Sequence, residues 1–296
     1  FEVFREHNDK CIQLSGTDMA PATVQRYETS LKHTRDFVWE TYHKKDVLLD
    51  EVSRQFIEDY EFWLKTEKKC CHNTATKYLK NFKKIIRIAL AKGWMKNDPF
   101  LEIRFSLDKV EPDFLEDSEI QKLISKEIDI PRLSQVRDIF VFCCFTGLAF
   151  SDIHGLRKEH IVEDSNGVRW IRKGRQKTKI MCNIPLIEIP LKILEKYSTN
   201  EYCKKYGVLF PVLCNQKMNA YLKELADICG IKKTLTTHVG RHTFATFALA
   251  NGVSIESVAK MLGHTNVQMT RHYARVLDRT VIREMSQIKM DLHFSM

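Results

Sequence analysis

Proline and glycine are scarce in this chain, 7 and 11 among 296 residues, and apolar residues recur through most of it at helical spacing. That pattern predicts a mainly α fold. A period over 23–38 sets Val24, Tyr27, Leu31 and Val38 on one face, and a second over 51–65 carries Val52, Phe56, Tyr60 and Trp63. A third helix follows Asn73, read as its N-cap. Its apolar stripe is Leu79, Phe82, Ile86 and Leu90, and Gly93 ends it. Trp94, Pro99 and Phe100 open a connector. These segments form an expected helical domain over residues 1–106, with a linker at 107–112 and a second domain at 113–296. The length suits two domains better than one.

The second domain reads as mixed. Asp117 is placed as the N-cap of a helix over 118–125, and another helix covers 134–146. The period then changes: 168–172 and 180–185 read as two strands of a small antiparallel sheet. Helices return over 215–229, closed by Gly230, then over 240–250, 254–262 and 270–276. Beyond these, Val281, Met285 and Ile288 fall on one stripe, followed by Leu292 and Phe294.

Composition narrows the class. Hydrophobic residues make up 44% and charged residues 29%, which excludes global disorder. The longest apolar run, Ile139 to Phe145, is too short to span a membrane, so no membrane role is expected. The chain opens at Phe1 with no basic-then-apolar leader, and reads as a fragment of a longer protein. Nine cysteines with no C-x-x-C spacing fit reduced thiols in a cytoplasm, with no metal site expected.

Charge is concentrated. The formal net charge is +9, and the stretch from Lys65 to Lys96 alone holds ten Lys and Arg against one acid, Glu67. Within it Lys77, Lys80, Lys84 and Arg87 line the face opposite the apolar stripe. A solvated surface would account for a few of these; an uncompensated basic face this long points to phosphate contacts. A basic connection, Lys173 to Lys179, joins the two strands; from Arg169 to Lys179 there are six basic residues and no acid, and Arg175 is a further candidate for DNA contact.

Three segments near the C-terminus carry the chemistry. His238-Val239-Gly240-Arg241 puts an imidazole and a guanidinium on one side of a helix start. Leu262-Gly263-His264 ends a helix on a histidine. Tyr273-Ala274 follows nine residues after that histidine. Each is weak alone. In this order they resemble the tyrosine recombinases, the phage-integrase family. Lys177-Thr178, with Pro185 eight residues after the lysine, resembles that family's strand-turn-strand lysine segment. Thr146-Gly147-Leu148-Ala149-Phe150-Ser151-Asp152 resembles its T-G-L-R-x-S-[DE] motif. The texture is similar to integrases of mobile elements from the Bacteroides group, which usually carry a further N-terminal arm-binding domain.

The resemblance implies a helical core-DNA-binding domain followed by a catalytic domain. It implies two successive transesterifications through a 3′-phosphotyrosine, with neither ATP nor metal and no cofactor. Tyr273 is then the nucleophile, Arg241 clamps the phosphate, His264 hydrogen-bonds it, and His238 accepts the tyrosine proton or makes another phosphate contact. Lys177 is the general acid to the leaving 5′-oxygen. Asp152 is either a buttress for the Arg and His residues or an ordinary helix N-terminal acid, while His242 and His272 match none of the family's catalytic positions. Expected partners are double-stranded attachment sites, a homo-tetramer on DNA with the C-terminal stripe docking in trans, and a host DNA-bending factor. Two alternatives are a type IB topoisomerase-like enzyme and a DNA-binding regulator that no longer cuts.

One departure stands out. Ala149 occupies the position of the motif's arginine and cannot donate to a phosphate oxygen. Arg137, twelve residues earlier and set among Val136, Ile139 and Phe140, is the expected replacement, since an unpaired charge there is costly. A surface pair with Asp138 is the alternative.

Overall fold

The structure is a computed structural model that describes residues 1–273 and Met285. The chain divides into two compact units, Phe1–Val110 and Glu111–Met296. The C-terminal stripe expected at Val281, Ile288, Leu292 and Phe294 lies outside the described residues, as does the part of the 270–276 helix beyond Tyr273.

The first unit is four helices: α1 (Glu2–Gln13), α2 (Pro21–Tyr42), α3 (Arg54–Thr66) and α4 (His72–Ala91). Pro21 starts α2 at a position whose N–H has no helical partner to lose. The hydroxyl of Ser53 caps α3 by accepting from the Phe56 N–H. The core is aromatic. Phe37 is fully buried, with the rings of Phe56, Tyr60 and Trp63 at 5.1, 4.9 and 5.7 Å. Phe100, in the connector after α4, is also fully buried and closes the cluster.

Two expectations are corrected here. The buried stripe of α2 runs through Val24, Ser30, Thr34, Phe37 and Val38, with Tyr27 and Leu31 only half-buried. Two of those positions are polar; the Thr34 hydroxyl donates to the Ser30 carbonyl and lies 3.1 Å from the Tyr60 hydroxyl. Asn73 is not an N-cap, because α4 begins one residue earlier, after Cys71. Its side chain instead bridges to Asp108, donating to the carbonyl at 2.9 Å and accepting from the N–H at 2.8 Å. The irregular segment after Phe100 is thus tied to the start of α4.

The second unit begins with α5 (Asp117–Ser125), whose N-cap is Glu116 rather than Asp117. Next come α6 (Pro131–Thr146), the short α7 (Phe150–His154), and strands β1 (Ile161–Glu163), β2 (Arg169–Gly174) and β3 (Met181–Pro185). The sheet is antiparallel in the order β1-β2-β3, with Ile171 opposite both Ile161 and Ile184. Six helices follow: α8 (Glu188–Tyr197), α9 (Glu201–Tyr206), α10 (Asn215–Ile228), α11 (Thr237–Ala250), α12 (Ile255–Leu262) and α13 (Gln268–Arg271). The apolar run of α6 makes it the central helix, with Ile139, Phe140, Phe142, Cys143 and Cys144 all buried. Helix α11 lies close against it at Gly240, where a Cβ would stand 3.2 Å from both Cys143 and Phe140. None of the helices among the described residues is long and apolar enough to cross a membrane.

Candidate active site

The site is assembled where two helices end and a third begins. Gly147 closes α6 and Gly263 closes α12, both in the left-handed conformation (φ +67° and +61°) that a Cβ disfavours. These ends turn the Gly147 and Leu262 carbonyls toward α11. There Arg241, only 3% exposed, donates from Nη1 to the Gly147 oxygen and from Nη2 to the Leu262 oxygen, each at 2.7 Å. Its Nη2 is also 3.0 Å from His264 Nε2. One guanidinium therefore ties the T-G-L and L-G-H segments together.

The histidine is held from both sides. Nε2 faces a cation, so it acts as acceptor, and Nδ1 carries the proton toward Thr270 Oγ1 at 2.8 Å. Burial, then the positive charges of Arg241 and Arg175, push its pKa down to about 4, which keeps the ring neutral. Tyr273 is buried, with its ring 6.0 Å from that of His264 and nearly parallel to it. It packs with Phe244, Ala245, Ala248, Val258 and Leu262 and interacts electrostatically with Arg241. His238, in the first turn of α11, sits at the exposed rim; desolvation and the nearby Arg241, Arg175 and Lys177 lower its pKa.

The β2–β3 hairpin reaches the same place. Thr178 Oγ1 donates to the Gly263 carbonyl at 3.3 Å, and the Asp152 carboxylate accepts from the Gln176 N–H at 2.9 Å. Lys177 is at the exposed tip. Asp152, 2% exposed, anchors the hairpin and pairs with Arg175 at 3.5 Å. The structure therefore brings together Arg241, His264, Tyr273, His238, Lys177 and Arg175. Two more residues stand here that the motif pattern alone did not assign: Thr270, and His242, whose ring lies between His238 (4.2 Å) and Tyr273 (5.0 Å).

Arg137 does not join them, and the expectation that it replaces the missing arginine is corrected. Its Nε and Nη2 bond Asp138 Oδ1 at 3.1 and 3.0 Å, and Nη1 donates to the Lys126 carbonyl at 2.7 Å. Asp138 is itself buried and also takes Lys196 and the Tyr197 hydroxyl. Arg137 lies ten residues up α6 from Gly147, about 15 Å along the axis. The pair with Asp138 answers the charge.

Lys77, Lys80, Lys84 and Arg87 are all exposed on α4. Among the described residues none is ion-paired to a carboxylate; Lys84 instead donates to the Tyr27 hydroxyl at 3.0 Å, and Lys80 lies over the Phe105 ring. No group of three or more metal-ligating side chains occurs among the described residues.

A buried tyrosine, an arginine and a neutral histidine meet here beside a basic hairpin, a set of groups suited to a phosphodiester. The profile of the phage integrase family matches residues 113–280, and that of the phage integrase SAM-like domain matches residues 1–109. The chain belongs to the phage integrase family, the tyrosine recombinases, which cut and rejoin DNA. It is 30% identical to a tyrosine recombinase of Pseudothermotoga lettingae over 267 residues, 87% of this chain and 88% of that one. It is 24% identical to the tyrosine recombinase XerD of Shewanella oneidensis over 285 residues, 92% of each. Its fold is similar to that of a lambda integrase dimer bound to a COC′ core site (TM-score 0.73, 16% identity, 100% of this chain and 99% of that one). It is also similar to the Tn1549 transposon integrase in complex with a circular intermediate DNA (TM-score 0.71, 17% identity, covering 97% and 98%).

Proposed function

We propose that this recombinase integrates and excises a mobile element, acting in the cytoplasm on double-stranded attachment sites of a bacterial nucleoid. The observation that carries the chemistry is the placement of Tyr273 against Arg241 and His264 within one chain. The Tyr273 hydroxyl oxygen attacks the scissile phosphorus, forming a P–O bond to the tyrosine as the bond to the 5′-oxygen breaks. The tyrosine proton passes to His238 or to water, and Lys177 gives a proton to the leaving 5′-oxygen. A 5′-hydroxyl from the partner strand then reverses each step. Bond energy is conserved in the phosphotyrosine. Arg241 steadies the charge that builds on the non-bridging oxygens. Arg241 must turn part of its fork from the Leu262 carbonyl and His264 to do so.

Four copies on paired sites exchange the strands, assisted by a host DNA-bending factor. Domain limits of 1–106 and 113–296 fit this division of labour: the exposed α4 stripe grips the duplex, and the second unit cuts it.

The test is covalent trapping on a nicked attachment-site duplex. Wild type should yield a protein–DNA adduct, and Tyr273→Phe should yield none while binding the duplex with nearly unchanged affinity. An adduct from the Phe variant would remove Tyr273 as nucleophile. Relaxation of supercoils without exchange between sites would favour a topoisomerase.

A further inference from the structure

Two buried guanidinium groups meet at this site, and they are not equally occupied. Both Arg241 Nη atoms have protein acceptors at 2.7 Å. The Arg175 side chain is 11% exposed, and its Nε has no hydrogen-bond partner among the described residues; Asp152 Oδ2, at 3.5 Å, is too far for one. An unsatisfied donor on a buried cation is destabilising. The arrangement becomes complete when an anion arrives.

The path of Arg175 into the site is defined by its neighbours. It starts the turn after β2, where its carbonyl accepts from the Lys179 N–H at 2.8 Å. Its stem then crosses the backbone of Gly263: a Cβ there would stand 2.7 Å from Arg175 Cδ and 2.9 Å from Cγ. Gly263 immediately precedes His264. On the other side Asp152 holds the turn, one carboxylate oxygen on the Gln176 N–H and the other facing Arg175. The charge of Arg175 is felt at Arg241, His264 and His238, each of which it makes harder to protonate.

Ala149 sits at the junction of these contacts. It is the N-cap of α7, two residues after Gly147, which bonds Arg241, and three before Asp152, which pairs with Arg175. Arg175 and Arg241, with Lys177 at the rim, thus converge, and among the described residues the one carboxylate ion-paired to any of these three, Asp152, is paired to Arg175. That excess of positive charge suits a phosphodiester.

We propose that Arg175, from the β2–β3 turn, supplies the phosphate-binding guanidinium that Ala149 cannot, and contacts the scissile phosphate alongside Arg241. The assignment rests on the recombinase reading above. Arg175 neither gains nor loses a proton; its donors meet the non-bridging oxygens as negative charge builds on them. Lys177 is two residues away on the same turn, so clamp and acid are carried by one hairpin.

The experiment measures adduct formation on a nicked attachment-site duplex at saturating protein, with duplex binding followed separately. Arg175→Ala should lose more than about a hundredfold in cleavage rate, and Arg175→Lys should fall between it and wild type. The Arg175→Ala loss should shrink at least tenfold on a duplex with a methylphosphonate at the scissile position, where a neutral group needs one cation fewer. Adding Ala149→Arg should restore part of the Arg175→Ala activity on the natural phosphate. Arg175→Ala within threefold of wild type would overturn the assignment. So would a loss in both Arg175 variants that methylphosphonate does not relieve, since a collapsed hairpin would impair both duplexes equally. A wild-type chain that binds the duplex and forms no adduct would instead overturn the recombinase reading itself.

Discussion

His264 couples the chemistry to stability in a way that can be measured without DNA. Its pKa is about 4 in the folded chain against 6.5 for a free histidine, so between those values the unfolded state binds more protons. Stability from this residue is full above about pH 6.5 and is lost as pH falls toward 4. His238 shifts in the same direction, so the diagnostic quantity is a difference. Urea midpoints taken from pH 7 to pH 4.5 should fall less steeply in His264→Gln than in wild type; equal slopes would show that the ring is not held neutral. The residue types at this site were legible as motifs, because His238, Arg241, His264 and Tyr273 keep fixed spacings along one stretch of chain. The role of Arg175 was not. It meets Gly263 across 88 residues, and only the packed hairpin creates that contact. Arg137 misled for the opposite reason: its partner Asp138 is adjacent in sequence, but the burial of that carboxylate, which demands a cation, depends on α8 supplying Tyr197 and Lys196.

At the scale of elements, α4 was legible because both of its faces are uniform: Leu79, Phe82 and Ile86 are buried, and Lys77, Lys80, Lys84 and Arg87 are exposed. The stripe should act as a row of phosphate contacts. Neutralising one of Lys77, Lys80 or Arg87 should flatten the slope of log affinity against log salt by roughly 0.9 per residue. Lys84 is a sharper case, since its ammonium already donates to the Tyr27 hydroxyl. Lys84→Gln should change the slope by less than the other three if that bond persists on DNA, and an unaltered slope for all four would return the face to ordinary solvation. Where both faces of an element are mixed, its period was hidden. Helix α2 buries Ser30 and Thr34, which a hydrophobicity pattern counts as exterior, and β1 is only three residues long. Helix α1, with Phe4 and Cys11 buried among charged residues, went unread for the same reason, whereas α8 and α9, at 10 and 6 residues, are too short to show a sustained period.

At the scale of the whole molecule, the two units have separate cores. Phe37, Tyr60, Leu79 and Phe100 belong to one, and Ile139, Phe142, Leu222 and Leu235 to the other. With no core residue shared between them, the functions should separate with the units. Residues 1–110 alone should bind duplex with a steep salt dependence and form no adduct. Residues 111–296 alone should form the phosphotyrosine adduct, with weaker binding and a flatter salt slope, because the α4 stripe is gone. The intact chain should bind more tightly than either piece by about 10²–10⁴, since a tether turns the second contact into an intramolecular one. Filter binding over a salt series, run in parallel with covalent trapping, measures all three. If residues 111–296 bind as tightly and as salt-dependently as the full chain, α4 contributes no phosphate contacts, and the basic charge concentrated between Lys65 and Lys96 must serve something other than this DNA.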